Sequence, residues 1–179
     1  MKAIVLAALL VACSSDEPVA KGKGTPSVPV ILMPPATGTD AAVFVRSSVI
    51  GDRIVAQIVT RSTPDLSGAA LRVSFPSWLR FDRRDEESGW SAATVHHTKV
   101  GPEREVILVD TTKGAQKGHD APAAGGESVL TTLYFAHDAQ PAAGAGALVI
   151  VPQRSELRDA AGKPVAVRFY DQAFDSLEP

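Results

Sequence analysis

The feature that most constrains the fold is a two-residue alternation of apolar and polar side chains, repeated in short segments from residue 41 to about residue 170. Between residues 68 and 75, larger apolar side chains occupy the odd positions and small or polar ones the even positions. Such alternation is typical of strands with one buried and one solvated face. Short strands separated by turns predict an all-β fold, an antiparallel β-sandwich. No segment carries a sustained helical period, so we expect little helix.

Eight strands are expected in this region. They span residues 42–49, 53–60, 68–75, 91–98, 105–111, 127–136, 146–151 and 164–169. Gly51 and Asp52 form the first hairpin turn. We therefore place one domain at residues 41–172, followed by a C-terminal tail at residues 173–179.

Composition narrows the possible partners. The chain has 179 residues, of which 45% are hydrophobic and 21% charged, so it can build a core of ordinary size. The formal net charge of −2 is spread over both signs, with no Lys/Arg-rich stripe. Because nucleic-acid binding needs such a stripe, we expect no nucleic-acid partner. A single cysteine excludes an intramolecular disulfide.

The first twelve residues look like an export signal. Met1 and Lys2 precede an uninterrupted apolar run at residues 3–12, which is too short to span a bilayer. Two alternatives are an N-terminal core element and an ordinary secretory signal. A core element is disfavoured because the run has no capping residue and leads into a polar, Pro-rich stretch.

The end of this run, Leu10-Val11-Ala12-Cys13, resembles the lipobox of bacterial lipoproteins. The resemblance implies a signal peptide at residues 1–12, cleavage before Cys13, diacylglycerol on the Cys13 thiol and usually a third acyl chain on its amino group. Two or three acyl chains anchor a protein firmly to a membrane. Ser14, rather than Asp, follows the cysteine. We therefore expect a lipid-anchored protein of the bacterial outer membrane.

Residues 13–40 are expected to form a lipidated flexible linker, because five prolines and scattered glycines disfavour regular structure. One apolar patch, residues 28–33, interrupts the linker. It is interpreted as an extra edge strand on the domain or, alternatively, as a docking segment for a partner.

Four segments of the domain form a family pattern: a Gly-Asp hairpin at 51–58, a strand and turn at 65–81, a late strand at 128–135 and an Asp-x-x-Gly turn at 156–165. Together they resemble cohesin-type domains. The resemblance implies a cohesin-like, jelly-roll type sandwich that binds another protein. The family's usual Tyr-Asp-Pro is replaced by Phe75-Pro76-Ser77, and the middle strands carry little family signal, so partner specificity is not transferred.

Histidines and acidic residues are the candidates for chemistry. His96, His97, His119 and His137 lack cysteine or glutamate partners at ligand spacing, so we expect surface or hydrogen-bonded histidines rather than a zinc site. Asp159 and Gly162 indicate a turn and not a calcium loop. No nucleophile elbow, phosphate loop or metalloprotease motif is present in the sequence. We therefore predict no enzyme activity, no metal and no cofactor.

Two further segments invite interpretation. The charged residues at 80–87 are interpreted as one solvated loop with internal ion pairs or, alternatively, as a cation site. Trp90 is interpreted as a lid over the end of the sandwich, the alternative being a carbohydrate platform. For a partner-binding face we predict Arg72, Ser74, Thr94 and His96, which are otherwise merely exposed.

These observations favour a non-enzymatic module that scaffolds or recruits an envelope or extracellular protein partner at the membrane. A carbohydrate-binding module that binds polysaccharide is the alternative, although it needs a row of exposed aromatic residues. A structural subunit of an envelope machine for adhesion, secretion or gliding motility is a third possibility. An enzyme comes last, because no catalytic constellation is visible.

Overall fold

The computed structural model describes residues 40–85, 89–113, 117–123, 125–137 and 146–174. The predicted signal peptide at residues 1–12, Cys13, the predicted linker up to residue 39 and the apolar patch at 28–33 lie outside the described residues. No helix within these ranges is long and apolar enough to cross a membrane.

The described residues form eleven strands and one 3₁₀ turn, Pro152–Arg154, without an α-helix. The strands are β1 (Ala42–Ile50), β2 (Arg53–Arg61), β3 (Leu66–Ser74), β4 (Leu79–Asp85), β5 (Thr94–Gly101), β6 (Glu105–Thr112), β7 (Glu127–His137), β8 (Ala147–Ile150), β9 (Glu156–Asp159), β10 (Arg168–Tyr170) and β11 (Gln172–Ala173). The predicted all-β class is confirmed.

The strands form two sheets. The first sheet has the order β10-β1-β2-β7-β4, and the second has the order β11-β8-β3-β6-β5, with β9 pairing beside β3. Strands β1 and β10 pair in parallel, and the other pairs are antiparallel. Strands β4 and β5 therefore end their respective sheets, as β10 and β11 do on the other side.

The core lies between the sheets and follows the predicted alternation. In β3 the side chains of Ala69, Leu71 and Val73 are buried, whereas Ala70 is exposed. Phe135 of β7 is fully buried, and its ring centroid lies 5.4 Å from that of Phe75 and 5.8 Å from that of Phe81. Burial of each such large side chain contributes roughly 1.5–3 kcal/mol, so this layer is the main source of stability.

Strand β4 corrects the prediction of a charged loop at residues 80–87. Leu79 is fully buried and β4 pairs along β7. The register shifts between Phe81 and Arg83, which indicates a bulge. Because a bulge adds one residue to one strand, it changes which side chains face inward, and Arg84 is buried between the sheets.

The C-terminal boundary also differs from the prediction. Strand β11 continues to Ala173, and Phe174 is only 4% exposed and packs edge-on against Trp78 at 5.3 Å. The sandwich therefore extends two residues beyond the predicted end at 172. The turn at Asp159 is confirmed, since its Oδ1 accepts hydrogen bonds from the backbone N–H groups of Ala161 and Lys163.

Candidate interaction face

The register of β3, β6 and β5 defines the outer face of the second sheet. Side chains that pair across neighbouring strands share one face. The rows on this face are Ala70–Val109–His97, Arg72–Ile107–Lys99 and Ser74–Glu105–Gly101. Small, apolar and charged residues are thus mixed on one surface, and Val109 is 37% exposed.

A groove of about 330 Å³ crosses this outer face. Its floor comprises Gly68 and Ala70 of β3, and Thr111 of β6 lies beside them. Gly68 has no side chain to fill the groove, and a Cβ there would lie 3.1 Å from the Asp110 carbonyl oxygen. Glu156 and Arg158 of β9 line the groove as an ion pair of 2.6 Å. The groove therefore offers a shallow floor beside one positive and one negative charge.

A second set of charges lies at the other end of the same face. Arg72 Nη1 donates to Glu105 Oε2 at 3.1 Å. Glu105 Oε1 also lies 3.7 Å from Arg154 Nη1, whose side chain is half exposed. Arg154 Nη1 also lies 3.5 Å from Glu103 Oε2, so a partner that approaches this end meets two arginines and two carboxylates.

The four residues predicted for binding do not share a face. Arg72 and Ser74 lie on the outer face, as expected. Thr94 and His96 pair with Thr112 and Asp110, which are buried, so they face the interior. The prediction that all four residues lie on one face is therefore wrong. The outward residues of β5 are Val95, His97 and Lys99, on the opposite side of the same strand. A binding role for Arg72 and Ser74 stays a prediction.

His96 belongs instead to a buried polar network that joins the two sheets. Its Nδ1 lies 2.8 Å from Asp110 Oδ1, while Arg84 Nη2 donates to Asp110 Oδ2 at 2.7 Å. Arg84 Nε donates to Thr131 Oγ1 at 2.8 Å. Arg84 and Asp110 are 2% and 3% exposed, and no group of acidic, histidine or cysteine side chains in the described ranges is arranged to hold a metal ion. The network therefore links strands of the two sheets.

Trp90 covers one end of the sandwich, in agreement with its interpretation as a lid. Its Nε1 donates to the Leu130 carbonyl oxygen at 3.0 Å, and its ring centroid lies 5.2 Å from that of His119. His119 is 1% exposed, and its Nε2 lies 3.2 Å from the Val129 carbonyl oxygen, in agreement with the expectation of a hydrogen-bonded histidine. Its Nδ1 has no hydrogen-bond partner among the described residues. Trp78 is buried as well. Neither tryptophan contributes to a row of exposed aromatic residues.

The outer face of the first sheet is different, because its arginines also cover aromatic rings. Glu127 is bonded by Arg46 and Arg61, whose guanidinium groups lie 5.7 and 5.3 Å from the centre of the Phe44 ring. The Arg61 guanidinium, followed by that of Arg46, holds the pKa of the Glu127 carboxyl below its usual range against the opposing effect of burial. Arg83 stacks on the Tyr134 ring at 3.7 Å. The arginines of this face are thus engaged within the domain.

Comparison with known proteins supports the fold. No protein-family model matches the chain, and no curated protein matches it. Among solved structures, a non-cellulosomal cohesin from the archaeon Archaeoglobus fulgidus is 13% identical, with a TM-score of 0.53 over 74% of this chain and 87% of that one. The sixth cohesin of scaffoldin B from Acetivibrio cellulolyticus, solved in complex with a dockerin, is 14% identical, with a TM-score of 0.61 over 78% and 99%.

The fold is cohesin-like. A cohesin from Clostridium thermocellum in a type I cohesin–dockerin complex gives the same result at 13% identity, with a TM-score of 0.55 over 79% of this chain and 97% of that one. At these identities the likeness establishes the cohesin-like β-sandwich and not the partner. It confirms the fold implied by the sequence resemblance.

Proposed function

We propose that this chain is a non-enzymatic protein-interaction module whose partner binds the outer face of the second sheet. Two similar structures are cohesins in complex with dockerins, which supports a protein partner. The observation that carries the proposal is the groove over Gly68 and Ala70, set in a rigid sheet among mixed charges. A rigid sheet presents its outward side chains with little loss of conformational entropy on binding.

The two outer faces differ in ways that favour the second sheet as the binding surface. On the first sheet, arginines pair with Glu127 or stack on aromatic rings, so a partner has to compete with these contacts. On the second sheet, Val109 and the groove are open, and the charged pairs lie around them. An apolar centre with a polar rim is the usual organisation of a specific protein interface.

We further propose that the module is held at the outer membrane through lipid on Cys13. The lipobox resemblance of residues 10–13 supports this anchor, and the Pro-rich linker supports a separation of the domain from the lipid surface. A module of this kind recruits an envelope or extracellular protein to the membrane.

Photo-crosslinking from defined positions tests the binding face. A photoreactive amino acid replaces Val109 on the outer face of the second sheet or, as the matched control, Val55 on β2 of the first sheet. In living cells, position 109 is expected to give a discrete protein adduct that position 55 does not give. Equal adducts from both positions would contradict the choice of face. Adducts to polysaccharide alone would support the carbohydrate-binding alternative instead.

Metabolic labelling with a clickable fatty acid tests the anchor. Cys13→Ala is expected to abolish lipid labelling and release the protein from the membrane fraction, because the only thiol is removed. Ser14→Ala serves as the control and is expected to keep both properties. Unchanged membrane retention of Cys13→Ala would exclude the lipid anchor without affecting the proposed binding face.

A further inference from the structure

A cleft of about 340 Å³ opens between the two sheets on the side where β4 and β5 are the end strands. A side chain of β4 reaches across to β5, since Arg84 Nη1 lies 3.5 Å from Thr98 Oγ1. Phe75, Phe81, Val100 and Pro102 give the cleft apolar walls. The rings of Phe75 and Phe81 both pack against the buried ring of Phe135, so the core holds these walls in place.

Two arginines, Arg80 and Arg104, also line the cleft, and none of the described residues that line it is acidic. Arg104 is fixed in place. Its Nη2 donates to the carbonyl oxygens of Ser77 at 2.8 Å and of Leu79, and its guanidinium lies 5.2 Å from the centre of the Phe75 ring. Its backbone has a φ of 56°, a conformation that is strained for a residue other than glycine.

The Arg104 guanidinium is held in place but still has hydrogen-bond donors available for a ligand. Its Nη1 and Nε have no hydrogen-bond partner among the described residues, and no carboxylate there pairs with it. A guanidinium with free donors recognises a carboxylate strongly and with defined geometry. The cleft therefore fits a group that combines an apolar side chain with a negative charge.

Strand β5 leads directly into this cleft. It is the last strand of the second sheet, so its outer edge presents backbone N–H and C=O groups that have no ladder partner in the described part of the chain. Its final residues, Val100 and Gly101, line the cleft. Val100 pairs with the fully buried Val106 and so faces inward, yet it is 49% exposed because the cleft is open beside it.

We infer that the cleft captures the C-terminal residue of a partner polypeptide, which adds to β5 as a parallel strand. Because β5 runs towards the cleft, a parallel strand brings its carboxylate to Arg104, whereas an antiparallel strand brings its ammonium group to the same guanidinium. The apolar side chain of the last residue then lies between Phe81 and Val100. Strand addition supplies backbone hydrogen bonds, and the pocket supplies specificity.

This inference rests on the proposed function only in taking a protein as the partner. It uses the edge of the second sheet and not its outer face. Different variants therefore disrupt the two surfaces, and each proposal can be contradicted without the other.

Peptide titration tests the capture of a C-terminus. The full chain is titrated with acetylated hexapeptides of alternating Thr and Val that end in Leu or Phe with a free carboxylate, and with the same peptides amidated. Free acids are expected to bind and to shift the backbone NMR signals of Val100 and Gly101. Amidation is expected to weaken binding by about tenfold or more, because the charge-assisted hydrogen bonds are lost. Equal binding of acid and amide, or no binding of either, would overturn the inference.

A pair of charge variants locates the site. Val100→Glu places a carboxylate in the cleft and is expected to abolish binding of the free acids. Val109→Glu adds the same charge to an exposed valine on the outer face and is expected to leave peptide binding unchanged. Equal effects of the two variants would overturn the inference. Val109→Glu instead disturbs the outer face, so it is expected to abolish crosslinking from a photoreactive residue placed at the neighbouring His97. Loss of that crosslinking with intact peptide binding separates the two proposals.

Discussion

Two of the arginine–carboxylate networks in this molecule exist under opposite conditions. Between the sheets, Arg84 and Asp110 are 2% and 3% exposed and bond at 2.7 Å. On the outer face of the first sheet, Glu127 is 30% exposed and pairs with Arg46 and Arg61, which are 43% and 15% exposed. Both networks join guanidinium groups to a carboxylate, and their access to water differs strongly.

The difference shows that solvent access, more than charge pairing, sets what an ion pair does for the fold. Water screens the outer network, so it contributes little stability. The buried pair has lost its hydration, so each charge depends on the other and on neutral donors and acceptors such as Thr131. The buried pair thus fixes how β4 and β6 face each other, whereas the outer network restrains side chains on a surface that the core already holds.

The largest effect is expected from breaking the buried pair. Asp110→Ala leaves Arg84 without its carboxylate and removes the contact with His96 Nδ1. We expect a loss of about 3–5 kcal/mol in the free energy of unfolding, because an uncompensated charge stays buried. Urea denaturation of the wild type and the variant measures this loss. A change below about 1 kcal/mol would show that the interior at this point is hydrated.

A double replacement is the matched control for that experiment. Arg84→Met together with Asp110→Leu removes both charges and keeps a similar volume. We expect most of the lost stability to return, since no unpaired charge remains. A double variant as unstable as Asp110→Ala alone would mean that the geometry of the pair, and not its charge balance, determines the loss.

The next largest effect is expected in the apolar layer beside the pair. Leu133 of β7 is fully buried and lies opposite Arg84 in the β4–β7 register. Leu133→Ala is expected to lower the free energy of unfolding by about 2–5 kcal/mol, through lost burial and the cavity left behind. The loss is expected to be the same at low and high salt, which urea denaturation at two ionic strengths checks. A strong salt dependence would contradict an apolar origin.

The contrast between the apolar layer and the buried polar network also explains which features the sequence predicts. The apolar layer was predictable because the alternation in β3 is a local pattern, and so was its outward Arg72. The polar layer was not predictable. A bulge after Phe81 turns Arg84 inward, and the pairing of β5 with β6 places His96 against Asp110. Both features depend on contacts between distant segments, which no local period reveals.

A smaller effect is expected from the outer network. The pKa of Glu127 is lowered in the fold by Arg61 and Arg46, so its contribution to stability is present above its unfolded pKa and is lost as the pH falls through its folded pKa. Glu127→Gln is expected to cost about 1 kcal/mol or less at pH 7. Thermal unfolding at pH 7 and at about pH 3 compares the variant with the wild type, in low and high salt. A cost that persists unchanged in acid would contradict an ionic origin.

The smallest effect is expected to have the opposite sign. Partial burial raises the pKa of Asp171 even though its Oδ1 accepts a hydrogen bond from the Ile150 N–H at 3.0 Å. A carboxyl whose pKa is raised in the fold subtracts stability above its folded pKa and subtracts none below its unfolded pKa. Asp171→Asn keeps an acceptor and removes the charge, so we expect it to raise the free energy of unfolding at pH 7 by less than about 0.5 kcal/mol, since water screens this exposed residue. The difference is expected to vanish at about pH 3, where both forms are uncharged.

Asp171→Ala, which also removes the acceptor, is the control and is expected to lower stability at both pH values. If Asp171→Asn instead lowered stability at pH 7, the carboxylate would be a favourable partner of the Ile150 N–H, and its burial would not be the dominant influence on its ionisation.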